Sequence, residues 1–158
     1  MAKNITFNVE TREKFFIDGD ENKVIELDVN DVNLVNRLTD AIPKMQELDK
    51  RWTALNEAAN AIKNGEDVEE NLEEVTKFSS TFKSIETEIR NILDDAFDSP
   101  GMSDTILGAT SAFSPVNGKF KYEQIIDVLV GLYETNIKKE AEKFNRTKVK
   151  KKTAKYIK

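Results

Sequence analysis

Residues 45–96 read MQELDKRWTALNEAANAIKNGEDVEENLEEVTKFSSTFKSIETEIRNILDDA, and this stretch decides the fold. Met45, Leu48, Trp52, Leu55, Ala59 and Ile62 stand 3, 4, 3, 4 and 3 residues apart. That rhythm lays one apolar stripe along a helix. Asn64-Gly65 supplies the left-handed cap that ends it. Glu66 and Asp67 open the next helix, where acids favour the positive end of the dipole. A second stripe runs through Val68, Leu72, Val75, Phe78, Phe82, Ile85, Ile89, Ile92 and Ala96. Two such stripes, each with a period of about 3.5 and joined by a short link, predict an antiparallel helical hairpin. The first arm, of about 20 residues, should measure roughly 30 Å and the second, of about 30 residues, roughly 45 Å. The second arm is therefore expected to overhang.

Upstream, the period changes to two. Ile5, Phe7 and Val9 alternate with Asn4, Thr6, Asn8 and Glu10, and Ile25, Leu27 and Val29 alternate again, as half-buried strands do. The aromatic and β-branched run at 14–17 lies between them, followed by the turn-forming cluster Asp18-Gly19-Asp20-Glu21-Asn22. Residues 4–29 thus read as an antiparallel hairpin or three-stranded meander that must pack on helix to be stable. Asn30 or Asp31 is the expected N-cap for a segment with Val32, Val35 and Leu38 at helical spacing. Pro43 either breaks that helix or starts the next one. Downstream, Ser99-Pro100-Gly101 stops the long helix, a short helix is expected from Ser103 to Leu107, and Gly108 to Gly118 reads as loop. Phe120, Ile125, Ile126, Leu129, Leu132, Tyr133 and Ile137 mark a last helix. The fold class is α+β, mainly α: an N-terminal β-hairpin or meander packed on an antiparallel helical hairpin and a C-terminal helix.

Charge divides the chain in two. From Lys138 to Lys158 there are ten Lys or Arg against two acids, a net of +8. The whole chain carries −5, so residues 1–137 carry −13. The reading is one acidic domain over 1–137 and a basic arm over 138–158. An acidic body with a basic arm is built to hold another molecule. With neither histidine nor cysteine, the chain lacks the commonest general base, the thiolate nucleophile and the usual zinc ligands. No apolar run suits a signal peptide or a membrane span, so no membrane association is expected.

The candidate sites are correspondingly non-catalytic, and no cofactor or metal is expected. The cluster at 18–22 offers the D-x-D-x-N start of a calcium loop, but Lys23 stands where glycine is needed and Val29 where a bidentate glutamate belongs. A turn is the simpler reading. Asp94, Asp95, Asp98 and Asp104 cluster around a helix end with no histidine, phosphate-gripping glycine loop or arginine clamp beside them in the sequence. Trp52, Leu55, Phe78, Phe82, Ile85 and Ile89 are the candidate partner-binding residues, since they form the hairpin stripe; the bland alternative is that they are core. Arg146, Lys148, Lys150, Lys151, Lys152 and Lys155 form the basic arm, whose lysines would meet an acidic surface, stay as a solvated tail with no specific role, or neutralise phosphates.

The order of parts resembles the tail assembly chaperones of long-tailed, siphovirus-type bacteriophages of Gram-positive bacteria. The resemblance runs through Ile5-Thr6-Phe7-Asn8-Val9, Ile17-Asp18-Gly19-Asp20 and Val29-Asn30-Asp31-Val32. It continues at Ile92-Leu93-Asp94-Asp95-Ala96-Phe97, Met102-Ser103-Asp104 and Leu107-Gly108, with Leu107 where related chains carry Phe. Phe120, Tyr122, Ile125, Ile126 and Leu132 match the last helix. The resemblance implies a non-enzymatic assembly factor in the host bacterial cytoplasm that binds the tape measure protein, helps recruit tail tube subunits and is absent from the mature virion. It also implies a frameshifted longer product, for which an A-rich stretch encoding Lys150-Lys151-Lys152 would be the slippery site.

Two other readings stand beside it. One is a nucleic-acid-associated helical protein using the basic arm, whose affinity would fall steeply with salt; the acidic body argues against it. The other is a structural tail or head–tail component, which would stay in the virion. Any of the three leaves apolar helix surface that a monomer would expose, so self-association into a homo-oligomer is expected.

Overall fold

Asp18 and Gly19 both adopt the left-handed backbone region, with φ of 52° and 75°. Two consecutive positive φ values turn a chain back on itself with the twist that flanking strands require. Strand β1 (Arg12–Ile17) therefore folds onto β2 (Asp20–Asp28) as an antiparallel hairpin, pairing Phe15 with Ile25 and Glu13 with Leu27. The structure is a computed structural model describing the backbone of residues 1–65 and 72–156, and the side chains of residues 1–61, 73 and 75–144.

Alternation then decides which face is buried. Ile25 and Leu27 are buried, and Phe15 and Ile17 half-buried against the helices, while Phe16, Val24, Lys14 and Glu26 face outward. The strand expected at residues 4–10 does not form. That segment pairs with neither β1 nor β2, and its side chains are exposed. The meander is a two-stranded hairpin.

Helix α1 (Leu34–Gly65) starts later than the expected cap. Asp31 closes the turn before it, accepting the Asn33 N–H at 2.9 Å, and Asn33 supplies the first helical carbonyl, to Arg37. Arg37 returns to Asp31 at 2.7 Å and donates from Nε to the Ala96 carbonyl at 2.8 Å. Partial burial raises the Asp31 pKa, but the hydrogen bonds from Arg37 and the Asn33 N–H, with the charges of Arg37 and Arg12, together outweigh it and leave the carboxyl below its usual range.

Pro43 neither breaks α1 nor begins a new helix. It sits inside one continuous 32-residue helix. Its ring is on the solvent face, while Ala41, Met45 and Leu48 on the opposite face are buried and hold the turns on both sides. A long helix stretches its solvent-side hydrogen bonds first, so the missing donor is least disruptive there. Because α1 reaches back to Leu34, the expected overhang of the second arm is overturned: α1 has 32 residues against 25 described in α2 (Leu72–Ala96). The expected helix start at Glu66-Asp67, with Val68, lies outside the described residues.

The two helices run antiparallel: Arg37 meets Ala96, Arg51 pairs with Glu88 at 3.5 Å, and Trp52 meets Phe82. After Phe97, Asp98 takes a φ of 48° and Gly101 one of 75°, and helix α3 (Met102–Leu107) follows. The Asp94 carboxylate caps α3 from outside, accepting the N–H groups of Gly101 at 3.1 Å and Ser103 at 2.8 Å. The loop expected over 108–118 leads into a further small hairpin, β3 (Pro115–Val116) and β4 (Lys119–Phe120), turned at Asn117-Gly118 with φ of 52° and 79°, so Phe120, expected in the last helix, ends a strand instead.

Helix α4 (Lys121–Tyr156) is one element, without a break where the basic arm was expected to begin. Tyr122, Ile125, Leu129 and Tyr133 bury one face of its first half. Asn136 then donates to the Val29 carbonyl at 3.2 Å and to the Asn30 side chain. The core thus lies where β2, α1, α2 and the first half of α4 converge, and the class is α+β, mainly α.

Two outcomes follow from this frame. Pro43→Ala restores the missing helical hydrogen bond without touching the core, and should raise the unfolding free energy by about 1–2 kcal/mol in urea titration. Burial pushes the Tyr133 hydroxyl up to about 12, with Arg37 pulling the other way, and burial together with Asp49 raises Tyr122. A raised phenol contributes stability that is complete below its ordinary value near 10 and lost as pH climbs through its folded value. Unfolding midpoints should therefore fall between about pH 10 and 12 in step with tyrosinate absorbance. Tyr133→Phe should flatten that decline.

Candidate partner-binding surface

Glu86 and Arg90 stand one helical turn apart on α2 and form a node. Arg90 Nε donates to Glu86 Oε1 at 3.0 Å, one terminal nitrogen to Asp104 Oδ1 at 2.8 Å, and the other to the carbonyls of Gly108 and Thr110 at 3.0 and 2.9 Å. Glu86 accepts the Ser111 hydroxyl and the Ala112 N–H, both at 2.8 Å. Desolvation disfavours the Arg90 charge, yet its hydrogen bonds with Asp104 and Glu86 outweigh that and raise its pKa. The 108–112 loop is thereby tied to α2, and the next residue, Phe113, is delivered into the bundle.

There it meets Trp52. The two rings stack at 5.2 Å with an interplanar angle of 13°, and Trp52 also makes edge contacts with Phe82 at 5.9 Å and Phe120 at 5.5 Å. Tyr122 closes the group against Phe113 at 5.5 Å and donates its hydroxyl to Asp49 at 2.6 Å. Phe113 is fully buried, whereas Trp52 and Phe82 are half-buried and line an open cleft of about 620 Å³ with Asn56, Lys83, Thr87 and the Glu86–Arg90 node.

The candidate stripe therefore splits. Ile85 and Ile89 are 1% and 0% exposed, packed in the core, and present no surface to a partner. Trp52, Leu55, Phe78 and Phe82 lie further out along the same two helices and are each half-buried. Val75, one turn beyond Phe78, is 45% exposed. The apolar seam of the hairpin continues past the point where the core covers it. The side chains of Arg146, Lys148, Lys150, Lys151, Lys152 and Lys155 lie outside the described residues; the backbone that carries them is helical through Lys155.

Three of the four clustered acids have structural partners, and Asp95 is exposed. Asp94 caps α3, Asp104 pairs with Arg90, and Asp98 takes a terminal nitrogen of Arg12 while its carbonyl takes the other at 2.9 Å. Sequence reading found no arginine clamp because Arg12 and Arg90 approach only in three dimensions. Among the described residues no group of three or more acidic side chains is arranged to hold a metal ion, and no helix is long and apolar enough to cross a membrane. Phe113, Phe120 and the Glu86–Arg90 node are members of this site that the sequence reading missed. The i,i+4 spacing of Glu86 and Arg90 was the available signal.

No protein-family model, curated protein or solved structure matches the chain.

If the node holds the aromatic group together, Arg90→Met should release the 108–112 loop. Trp52 is the only tryptophan. Its emission should shift to the red, with a loss of about 1–3 kcal/mol of stability measured in denaturant.

Proposed function

We propose that this chain is a phage tail assembly chaperone that binds the tape measure protein and helps recruit tail tube subunits. The reading rests on the resemblance of several residue patches to that family and on one structural observation: the helical hairpin carries its apolar seam beyond its own core. Trp52, Leu55, Phe78 and Val75 continue the stripe of Met45, Leu48, Ile85 and Ile89, but remain partly open. A tape measure protein is long and helical, and it exposes apolar stripes until a tube encloses it. An open seam between two helices accepts such a stripe by helix-in-groove packing. The half-buried aromatic residues supply the anchor that such interfaces concentrate. The net −13 of residues 1–137 keeps a loaded complex soluble and rejects polyanions. On this reading the protein works in the host bacterial cytoplasm, without cofactor, and leaves before the virion is complete.

The test is co-expression with a tape measure protein encoded in the same genome. The chain should keep that protein soluble and co-purify with it. Leu55→Asp and Phe78→Asp, at partly exposed positions, should reduce recovery of the complex at least tenfold while leaving the circular dichroism spectrum of the free chain intact. A tape measure protein that aggregates regardless of the chain would overturn the reading, as would this chain in mass spectra of purified virions.

A further inference from the structure

The segment Asn4-Ile5-Thr6-Phe7-Asn8-Val9-Glu10 has the composition of a strand and pairs with no strand among the described residues. Ile5, Phe7 and Val9 are 77%, 72% and 79% exposed. A run of β-branched and aromatic residues with one charge and no proline or glycine is a hazard unless something covers it.

Its own hairpin is poorly placed to do so. Only Glu10 and Thr11 separate Val9 from β1, and a two-residue reversal needs positive φ at both positions or glycine at the first. Neither residue takes positive φ, and threonine is β-branched. Thr11 is instead held beside β2, its hydroxyl donating to Asp28 at 2.6 Å, and Glu10 lies 3.7 Å from Arg12. The turn chemistry directs the segment away from β1.

The sequence is, however, complementary to itself. Antiparallel pairing centred on Phe7 sets Phe7 against its own copy and Ile5 against Val9, so one face is wholly apolar. On the other face Thr6 meets Asn8 and Asn4 meets Glu10, with no like charges opposed. We infer that residues 4–10 form an antiparallel β-ribbon with the same residues of a second copy, making a two-fold symmetric dimer. Such an interface is isologous, as two-fold symmetry demands. Thr11 alone joins the segment to β1, so each strand of the ribbon is tethered to a hairpin already formed in its own copy. This inference stands whether or not the chaperone reading holds, because no tail protein enters it.

The register is testable because the chain has no cysteine. At the dyad the two Cα atoms of residue 7 would sit about 4.5–5.5 Å apart, within the roughly 4.4–6.8 Å that a disulfide spans. Two copies of residue 5 would be about 14 Å apart. Under mild oxidation of the full-length chain, Phe7→Cys should cross-link into a dimer. Ile5→Cys and Val9→Cys alone should not, while an equimolar mixture of those two should. By sedimentation, Phe7→Lys should weaken the dimer by about two orders of magnitude, since it opposes two charges and removes the central apolar pair. Thr6→Lys should leave it unchanged. A protein that stays monomeric at all concentrations would overturn the inference. So would cross-linking equally efficient at positions 5, 7 and 9, or a dimer indifferent to Phe7→Lys, which would place the contact elsewhere.

Discussion

The pairing of Glu86 with Arg90 is the contact on which the other half of the molecule depends. Both side chains sit on α2, where a bare i,i+4 pair contributes only a few tenths of a kcal/mol. Here each has further partners: Arg90 reaches Asp104 and two loop carbonyls, and Glu86 takes a hydroxyl and a backbone N–H. A partly buried pair whose remaining donors and acceptors are satisfied avoids the penalty of stranded charge. The result is geometric: the 108–112 loop is stapled to α2, Phe113 enters the bundle beneath Trp52, and the chain emerges at the start of α4. That staple acts together with the Tyr122–Asp49 hydrogen bond and the buried face of α4 to fix where α4 meets the helical hairpin.

Above this node the protein has more apolar seam than core to cover it. Two helices of 32 and at least 25 residues are joined on one side by a hairpin, α3 and the first half of α4. That cover reaches Leu48 on α1 and Ile85 on α2 and then thins, leaving Trp52, Phe82, Phe78 and Leu55 half open. A heptad stripe carries no mark of where its cover stops. Ile85 and Phe82 differ by less than one turn, yet one is sealed and the other lines a cleft.

The β elements show the same division between local and distant causes. Asp18-Gly19 and Asn117-Gly118 adopt the positive φ values their residue types favour, and both make hairpins. Turn chemistry is local, so the first is legible directly, and the second carries the same signal at the end of a span that otherwise reads as loop. The strand expected at 4–10 obeyed the same alternation rule and still found no partner. Alternation reports that a segment can be half buried; it does not say which surface, or which chain, buries it.

The sequence alone determined the helical seam, the first hairpin and the α+β, mainly α class, because periods of 3.5 and 2 and the Asp-Gly turn are properties of neighbouring residues. Tertiary structure decided the rest. Pro43 was absorbed into α1 because buried turns flank it and its ring faces solvent. The acidic cluster became a cap and two ion pairs because Arg12 and Arg90 come to it from 86 and 14 residues away. The stretch that carries the basic arm continues α4 as helix beyond the point where its apolar face ends. The contacts of the acidic cluster join residues distant in the chain, and only packing brings them within reach.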